Sequence, residues 1–314
     1  MSQSIEAMHK AETQPAAAYL AGLRSGVSRN SMQTELNKIA RLMHTADWQM
    51  VDWASLNAAN VMAIMAQIEG APSTRNKTLS ALKGVAKTAW RLGKLDSETL
   101  ARINDVKGDS GSRELAGRQI ESWEVAALMR ACADDPTPSG ARDSALFAVA
   151  QKTGARREEL TALLMDSIKR DADTAELKVV GKRNKERTLY LDNGALLALV
   201  DWLSVRGDAP GVVFCAIRQT GAIEHLHRMT TTALHKILQK RLTEAGLKSI
   251  TWHDFRRSFA GSLLDAGEDI ATVASMMGHA SVNTTARYDR RPAEARRKAA
   301  RKISTPYFGR QNGR

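Results

Sequence analysis

Residues 153–160 read Thr-Gly-Ala-Arg-Arg-Glu-Glu-Leu and are the first of five short polar segments that together predict the fold of this chain. The other four follow in order as Gly-Lys-Arg-Asn-Lys-Glu-Arg at 181–187, His-Asp-Phe-Arg at 253–256, Gly-His at 278–279 and Thr-Thr-Ala-Arg-Tyr at 284–288. Any one of these segments is short enough to occur by chance, whereas all five in a fixed order and spacing are not.

The spacing between the segments predicts helices. His253 and Arg256 are three residues apart, so on a helix their side chains share one face. The 23 residues from Arg256 to His279 leave room for a helix, a turn and a second helix. The nine residues from His279 to Tyr288 fit a short turn and the start of another helix.

These residue types suit the cleavage of a phosphodiester without a metal. Arg156 and Arg256 carry guanidinium groups that stay charged and bind two oxygens at once, so they can stabilise charge on the nonbridging phosphate oxygens. A phenol has a pKa near 10, so Tyr288 needs a base or nearby positive charge to attack phosphorus. His253 is a candidate acceptor for that proton, and we expect His279 to donate a hydrogen bond to the phosphate. The set predicts cleavage and rejoining of DNA strands.

The order and the gaps resemble those of the tyrosine recombinase (phage integrase) family in its two-domain, Xer-like form. The resemblance is close from about Gln119 to Tyr288 and looser before that. It implies that Lys182 is the general acid for the leaving 5′ oxygen, with Lys185 as the competing candidate, and that Glu159 orients the cluster without taking part in the chemistry. It also implies a 3′-phosphotyrosyl intermediate that conserves the energy of the broken bond, so that no cofactor and no metal is expected.

Charge and composition agree with a DNA partner. The chain has 314 residues and a formal net charge of +12, with 46 Lys and Arg against 34 Asp and Glu. A chain this basic usually meets a polyanion, because neutralising phosphates releases counterions. No apolar run approaches the length of a membrane helix and the first residues are polar, so neither a membrane nor a signal peptide is predicted. Cys132 and Cys215 lie in apolar surroundings and are predicted to be buried thiols, which fits a cytoplasmic protein.

The N-terminal part is predicted to be helical from residue 16 to 102, in four or five short helices. Apolar residues at helical spacing follow Asn30-Ser31 and predict that a helix starts there. Ser73-Thr74 is the predicted cap of a later helix. A basic stripe on that later helix lies in a stretch without Asp or Glu. A charged helix face is usually only solvated, but in a chain this basic we expect the stripe to follow DNA phosphates. The stripe consists of Lys83, Lys87, Arg91 and Lys94.

A polar, glycine-rich segment at 104–113 lacks apolar periodicity and is predicted to be an interdomain linker. We therefore predict a helical core-binding domain with its linker at 1–112 and a catalytic domain at 113–314, which could close around a duplex as a clamp, as the layout of the resembled family implies. The predicted fold class is mainly α with a small β-sheet, in which the catalytic domain is α+β. Residues 293–303 are predicted to form a basic helix, and in the resembled family the segment after the tyrosine docks on a neighbouring subunit.

Two short β-branched segments, 176–180 and 187–191, flank a polar turn and predict a hairpin with Lys182 near its tip. Asn184 can take the left-handed conformation that such a turn needs. The resembled family more often has glycine where Arg183 stands, so the turn is one place where this chain departs from the pattern.

Several functions share these residues. The first is a site-specific recombinase that acts as a homotetramer on two DNA sites and is a monomer or weak oligomer when free. The second is a type IB topoisomerase, and the third is a catalytically idle DNA-binding regulator. His225-Leu-His227 has no further ligand at metal spacing, and no Gly-rich nucleotide-binding loop occurs, so metal catalysis and nucleotide hydrolysis are not predicted.

Overall fold

The computed structural model describes residues 14–110, 117–181, 185–279, 281–286, 288, 300, 301, 303 and 304. They fall into two compact units, Met1–Glu114 and Leu115–Arg314. Both units are mainly helical and the second also carries two small sheets, so the predicted fold class is confirmed. Within the described ranges, no helix is long and apolar enough to cross a membrane.

The first unit is a bundle built around its longest helix. That helix, α4, directs one face inward through Leu79, Leu82 and Val85, and these side chains pack in one core with Leu36 and Trp53. Apolar residues at helical spacing therefore bury a continuous stripe, as the sequence pattern predicts. The helices are α1 (Pro15–Ala21), α2 (Gly26–Leu42), α3 (Ala58–Ala66), α4 (Pro72–Arg91) and α5 (Ser97–Asp105).

Two predicted helix starts in this unit are wrong. Helix α2 begins about one turn before Asn30-Ser31 and is capped by Ser25. Its first turn is exposed, with Val27 80% accessible, so apolar periodicity could not reveal it. Helix α4 begins with Pro72 at its first position instead of after a Ser73-Thr74 cap. Proline suits that position because its missing N–H would have no partner there.

The second unit mixes helices with two antiparallel sheets. Strands β1, β2 and β3 form a three-stranded sheet in that order, and β4 pairs with β5. The elements in chain order are α6 (Ser122–Ala133), α7 (Pro138–Thr153), α8 (Arg157–Ala162), β1 (Ile168–Arg170), β2 (Thr174–Val180), β3 (Glu186–Asp192), α9 (Asn193–Arg206), β4 (Cys215–Ile217), β5 (Ile223–Arg228), α10 (Thr231–Glu244), α11 (Trp252–Asp265), α12 (Ile270–Met277) and α13 (Val282–Ala286).

The predicted hairpin is confirmed as the pair β2–β3, which is in register from Thr174 opposite Asp192 to Val180 opposite Glu186. At its turn end, the Gly181 N–H donates to the Lys185 carbonyl over 2.8 Å. The turn residues Lys182 and Asn184 lie outside the described residues. One face of the hairpin packs into the core through Ala175, Leu177, Val179, Leu189 and Leu191.

The core of the second unit anchors helix α11, which carries two of the predicted site residues. Trp252 and Phe255 are buried on this helix and pack against Phe147 of α7, with ring centroids 5.4 to 5.9 Å apart. Cys132 and Cys215 are buried free thiols, as predicted. Because Trp252 and Phe255 point inward, the register of α11 is set, and with it the positions of His253 and Arg256.

Candidate active site

The first arginine of the site stands at the start of helix α8. The Arg156 N–H donates to Glu159 Oε2 over 2.7 Å, and Arg156 Nη1 donates to Glu159 Oε1 over 2.8 Å. A carboxylate three residues into a helix commonly satisfies the backbone N–H at its start. Here it also holds the arginine side chain, so the predicted orienting role of Glu159 has a geometric basis. Gly154, at φ +58° beside the ring of Phe259, lets the chain turn into this position.

The second arginine is buried on α11. Arg256 is 4% exposed, and its Nη1 donates to the carbonyl of Gly154 over 2.6 Å. It contacts no carboxylate within the described part of the chain, although a buried charge usually has an anionic partner. Arg256 is therefore a buried cation that backbone carbonyls hold in place without neutralising it.

The C-terminal end of α12 is held by three arginines. The last carbonyls of a helix lack intrahelical partners and carry partial negative charge, so guanidinium groups suit them. Here three consecutive carbonyls each accept a hydrogen bond from a different guanidinium, and His279 follows them directly. The pairs are Arg187 with Met276, Arg256 with Met277, and Arg156 with Gly278.

Tyr288 and the two histidines complete the cluster. The hydroxyl of Tyr288 lies 3.1 Å from Nε2 of His253, within hydrogen-bonding distance for proton transfer. The rings of His279 and Tyr288 stack with their centroids 6.0 Å apart. Nδ1 of His279 lies 2.7 Å from the hydroxyl of the fully buried Thr285. In the tautomer in which this hydroxyl donates to Nδ1, the hydrogen of neutral His279 is on Nε2.

Burial and the arginines set the charge states. Burial, followed by the charges of Arg257 and Arg256, lowers the pKa of His253 below its usual range. Burial, followed by the charges of Arg256 and Arg156, lowers the pKa of His279 to about 4. Burial and the charges of Arg156 and Arg187 lower the pKa of Arg256 to about 9. At neutral pH both imidazoles are therefore neutral, and Arg256 remains charged.

These groups line two cavities that share Arg156, His279 and Thr284. One, of about 590 Å³, is lined also by His253, Arg256 and Tyr288. The other, of about 550 Å³, lies beside the turn end of the hairpin and is lined also by Glu159, Lys185 and Arg187. Guanidinium groups, neutral imidazoles and a phenol facing one cleft can bind an anionic ester and attack it.

A model of the phage integrase family matches residues 118–294. These residues span more than half of the chain and include every group of the cluster. The chain belongs to the phage integrase family.

Individual proteins agree with the family assignment. The tyrosine recombinase XerC of Chromohalobacter salexigens is 31% identical over 279 residues, which cover 86% of this chain and 88% of that one. The tyrosine recombinase XerD of Lacticaseibacillus casei is 28% identical and covers 69% of this chain and 72% of that one.

Solved structures share the fold. One is the site-specific recombinase XerH bound to a palindromic difH substrate after cleavage, with a TM-score of 0.62 at 20% identity over 87% of this chain and 79% of that one. Another is a lambda integrase dimer bound to a COC′ core site, with a TM-score of 0.61 at 14% identity over 87% of this chain and 75% of that one.

Six of the seven predicted site residues of this integrase-family chain meet at the cleft, five of them proposed for the chemistry and Glu159 for support. The seventh, Lys182, lies outside the described residues. Lys185, the competing candidate for the general acid, lines the cavity beside the turn end of the hairpin. The six that meet are Arg156, Glu159, His253, Arg256, His279 and Tyr288.

Three residues of the predicted basic stripe lie on α4 of the first unit, but the prediction is wrong for Lys94, because α4 ends at Arg91 and Gly93 turns the chain at φ +68°. Lys87 and Arg91 are exposed, as phosphate binding would require. Lys83 is partly buried, and its Nζ donates to the carbonyls of Asn104 (2.8 Å) and Val106 (2.7 Å) at the end of α5. Lys83 therefore has a structural contact within the unit, and phosphate binding by it and by the exposed Lys94 stays a prediction.

Sequence reasoning missed two residues of the site, Arg187 and Thr285. Arg187 lies two and four residues before Leu189 and Leu191, which point into the core, so strand alternation puts it on the same inward face. That alternation was a usable signal for a buried arginine. Thr285 has no such signal, because a threonine in a short polar helix is most often exposed.

Proposed function

We propose that this chain is a site-specific DNA recombinase that cleaves and rejoins strands through a 3′-phosphotyrosyl intermediate at Tyr288. The observation that carries the proposal is the hydrogen-bonding distance between the Tyr288 hydroxyl and His253 Nε2 beside the charged Arg156 and Arg256. A nucleophile, a base and two anion-binding groups at one cleft are the parts that cleavage of a phosphodiester needs.

The first step is attack by the phenol. As the Tyr288 oxygen bonds to phosphorus, its proton passes to Nε2 of His253, which is neutral at pH 7 because its pKa is lowered. Charge builds on the two nonbridging oxygens, where Arg156 and Arg256 bind them and His279 donates from Nε2. These donors are in place before DNA binds, so little reorganisation opposes the reaction.

The second step releases the 5′ oxygen. The bond from phosphorus to that oxygen breaks, and the oxygen takes a proton from Lys182, the general acid that the resemblance implies. The phosphotyrosyl ester remains, and a 5′ hydroxyl of another strand attacks it and gives its proton to the lysine. The bond from phosphorus to the Tyr288 oxygen breaks, and that oxygen takes its proton back from His253. No bond energy is lost between cleavage and rejoining.

Trapping the covalent adduct tests this function. On a nicked suicide substrate containing a site found by footprinting, the unchanged chain should form a protein–DNA adduct and Tyr288→Phe should bind the same DNA without forming one. Phenylalanine keeps the ring packed against His279, so folding should be preserved. An adduct of normal yield from Tyr288→Phe would refute the assignment of the nucleophile.

The alternatives predict other results. A type IB topoisomerase would relax any supercoiled plasmid as a monomer, whereas a recombinase requires its own site. An idle regulator would bind DNA without ever forming an adduct. The complete set of nucleophile, base and arginines favours an active enzyme, and the XerC and XerD relatives favour recombination over relaxation.

We further propose that recombination takes place in a homotetramer on two DNA sites, in the cytoplasm where the DNA lies. The resemblance supports the assembly, and the buried free thiols Cys132 and Cys215 fit a reducing compartment. Whether the reaction serves integration, excision or dimer resolution depends on the DNA site, which footprinting would identify.

We also propose that the basic segment 293–303 docks on a neighbouring subunit, as the resemblance implies. Deleting the residues after Ala293 tests this role. We expect synapsis and recombination to be lost while binding to a single site stays near normal, because the deleted segment would no longer reach a neighbouring subunit. Gel-shift and synapsis assays measure the two effects. Proportional loss of binding, with synapsis recovered at higher protein concentration, would show instead that the tail only adds affinity for phosphate.

A further inference from the structure

Arg187 is the one arginine of the cluster that has no role in the chemistry proposed above. It lies on β3 near the turn end of the hairpin, and its side chain is 11% exposed. Its Nη2 donates to Glu159 Oε2 over 2.6 Å, and its Nη1 donates to the Met276 carbonyl. It therefore contacts both the element that carries Arg156 and the helix that ends just before His279.

Glu159 is shared by two arginines. Its side chain is 2% exposed, and its two oxygens accept from the Arg156 backbone, the Arg156 guanidinium and the Arg187 guanidinium. Burial alone would raise the pKa of Glu159, but the charge of Arg187, with hydrogen bonds from both arginines, lowers it. The carboxylate is thus ionised and would attract Arg156 strongly if it had no other cation.

Charge counting shows what Arg187 changes. Arg156, Arg187 and Arg256 contribute three positive charges, and among the described residues Glu159 is the only carboxylate bonded to any of them. Since His253 and His279 are neutral at pH 7, the cluster carries two net positive charges. In-line attack on a phosphodiester gives a transition state with two negative charges, so the cluster matches it.

We propose that Arg187 is a positioning residue that neutralises Glu159, so that the charge of Arg156 remains available to the scissile phosphate. Without it, Arg156 and Glu159 would form a neutral pair, and Arg256 would be the only arginine of the three whose charge is not neutralised. The inference rests on the proposed function and adds to it the reason why the site needs a third arginine.

Restoring the charge separates this role from simple structural support. Arg187→Met lowers the net charge of the cluster from two to one, and adding Glu159→Gln returns it to two. We expect Arg187→Met to slow adduct formation by about 10- to 100-fold, the range found in metal sites when a partner that orients a ligating side chain is removed. The double variant should recover most of that loss. If Arg187 only supports the fold, the double variant will be no faster than Arg187→Met, and the proposal fails.

The scissile phosphate itself offers an independent readout. In a methylphosphonate one nonbridging oxygen becomes an uncharged methyl group, so the transition state carries one negative charge instead of two. On that substrate the defect of Arg187→Met should shrink by about tenfold, because one net positive charge then suffices. A defect of equal size on both substrates would overturn the proposal, since a structural role does not depend on the charge of the phosphate.

Adduct formation by the unchanged chain separates a failure of the proposed function from a failure of the role proposed for Arg187. If the unchanged chain forms no adduct, the proposed function fails. If it forms an adduct and Arg187→Met does so at the same rate, only the role of Arg187 fails. Should Arg187→Met fail to fold, because it leaves a buried carboxylate short of a partner, the double variant carries the test. A folded double variant that does not cleave would overturn the proposal.

Discussion

His253 stands next to buried arginines, and this placement determines how cleavage should depend on pH. A histidine whose pKa is lowered is neutral over a wider pH range, so it can accept the Tyr288 proton below neutrality. As pH rises, His253 loses its proton and cleavage should accelerate. The midpoint of the acceleration should lie below the ordinary histidine pKa of about 6.5.

The profile of kcat/KM against pH checks this expectation, because it reports the groups of the free enzyme. The midpoint of the rising limb should lie below pH 6.5 or so, and His253→Gln should lose that limb along with most of the rate. A midpoint at or above that pH would contradict the assignment of a neutral His253 with a lowered pKa as the base.

At the residue level the sequence predicted the groups proposed for the chemistry and the supporting Glu159, but not Arg187 or Thr285. Arg156, His253, Arg256, His279 and Tyr288 were recognisable because their chemistry and order form a pattern. Arg187 and Thr285 act through contacts with other side chains, and such contacts depend on the tertiary structure.

Among the elements, the C-terminal end of α12 brings the site residues together, because its last carbonyls accept hydrogen bonds from all three arginines. Gly278, at φ +61°, ends the helix, and a Cβ there would lie 3.0 Å from Arg187 Cδ and 3.2 Å from Arg187 Nε. Gly267, in the turn before α12, has φ +99° and nothing within 4 Å of such a Cβ. The two glycines share a positive φ and differ in what surrounds them.

Alanine at each position separates backbone strain from displacement of the arginine. Both variants should lose about 1 kcal/mol of unfolding free energy, because alanine disfavours a positive φ. Only Gly278→Ala should also slow adduct formation, by about tenfold or more, since it pushes Arg187 away from Glu159. Denaturant unfolding and single-turnover cleavage measure the two effects. Equal cleavage rates in the two variants would show that the close packing at Gly278 does not matter.

The three residues of the basic stripe that lie on α4 differ in their surroundings. Lys87 and Arg91 are exposed, whereas Lys83 donates to backbone carbonyls. Lys87→Gln and Arg91→Gln should each flatten the dependence of log affinity on log salt by up to about 0.9 unit, because each lost phosphate contact releases one fewer counterion on binding. Lys83→Gln should instead cost about 1 kcal/mol of stability, because the carbonyls of Asn104 and Val106 lose their donor. Salt titrations and denaturant unfolding check both. An unchanged salt slope in the first two variants would leave the stripe as a solvated face.

Regular elements with a clear period were predictable, and short ones were not. In the hairpin, β2 alternates between buried and more exposed residues over its seven residues and β3 does so from Leu189 to Asp192, which a sequence reveals. Strands β1 and β4 have three residues each, too few for a period. The start of α2 was missed because its first turn buries nothing.

For the whole molecule, the site is assembled from segments that lie 132 residues apart, from Arg156 to Tyr288. No local pattern predicts that these segments meet. Only the resemblance to a known family did so, and the cleft brings together all but Lys182 of the predicted chemical groups, that residue lying outside the described part of the chain.

The central claim is that the Tyr288 oxygen becomes covalently joined to DNA. Mass spectrometry of the trapped adduct, after nuclease and protease digestion, tests it most directly. The account predicts a nucleotide joined through a 3′ phosphate to the peptide that contains Tyr288, with the modification on that residue. A nucleotide on any other residue, or a 5′ linkage, would contradict it.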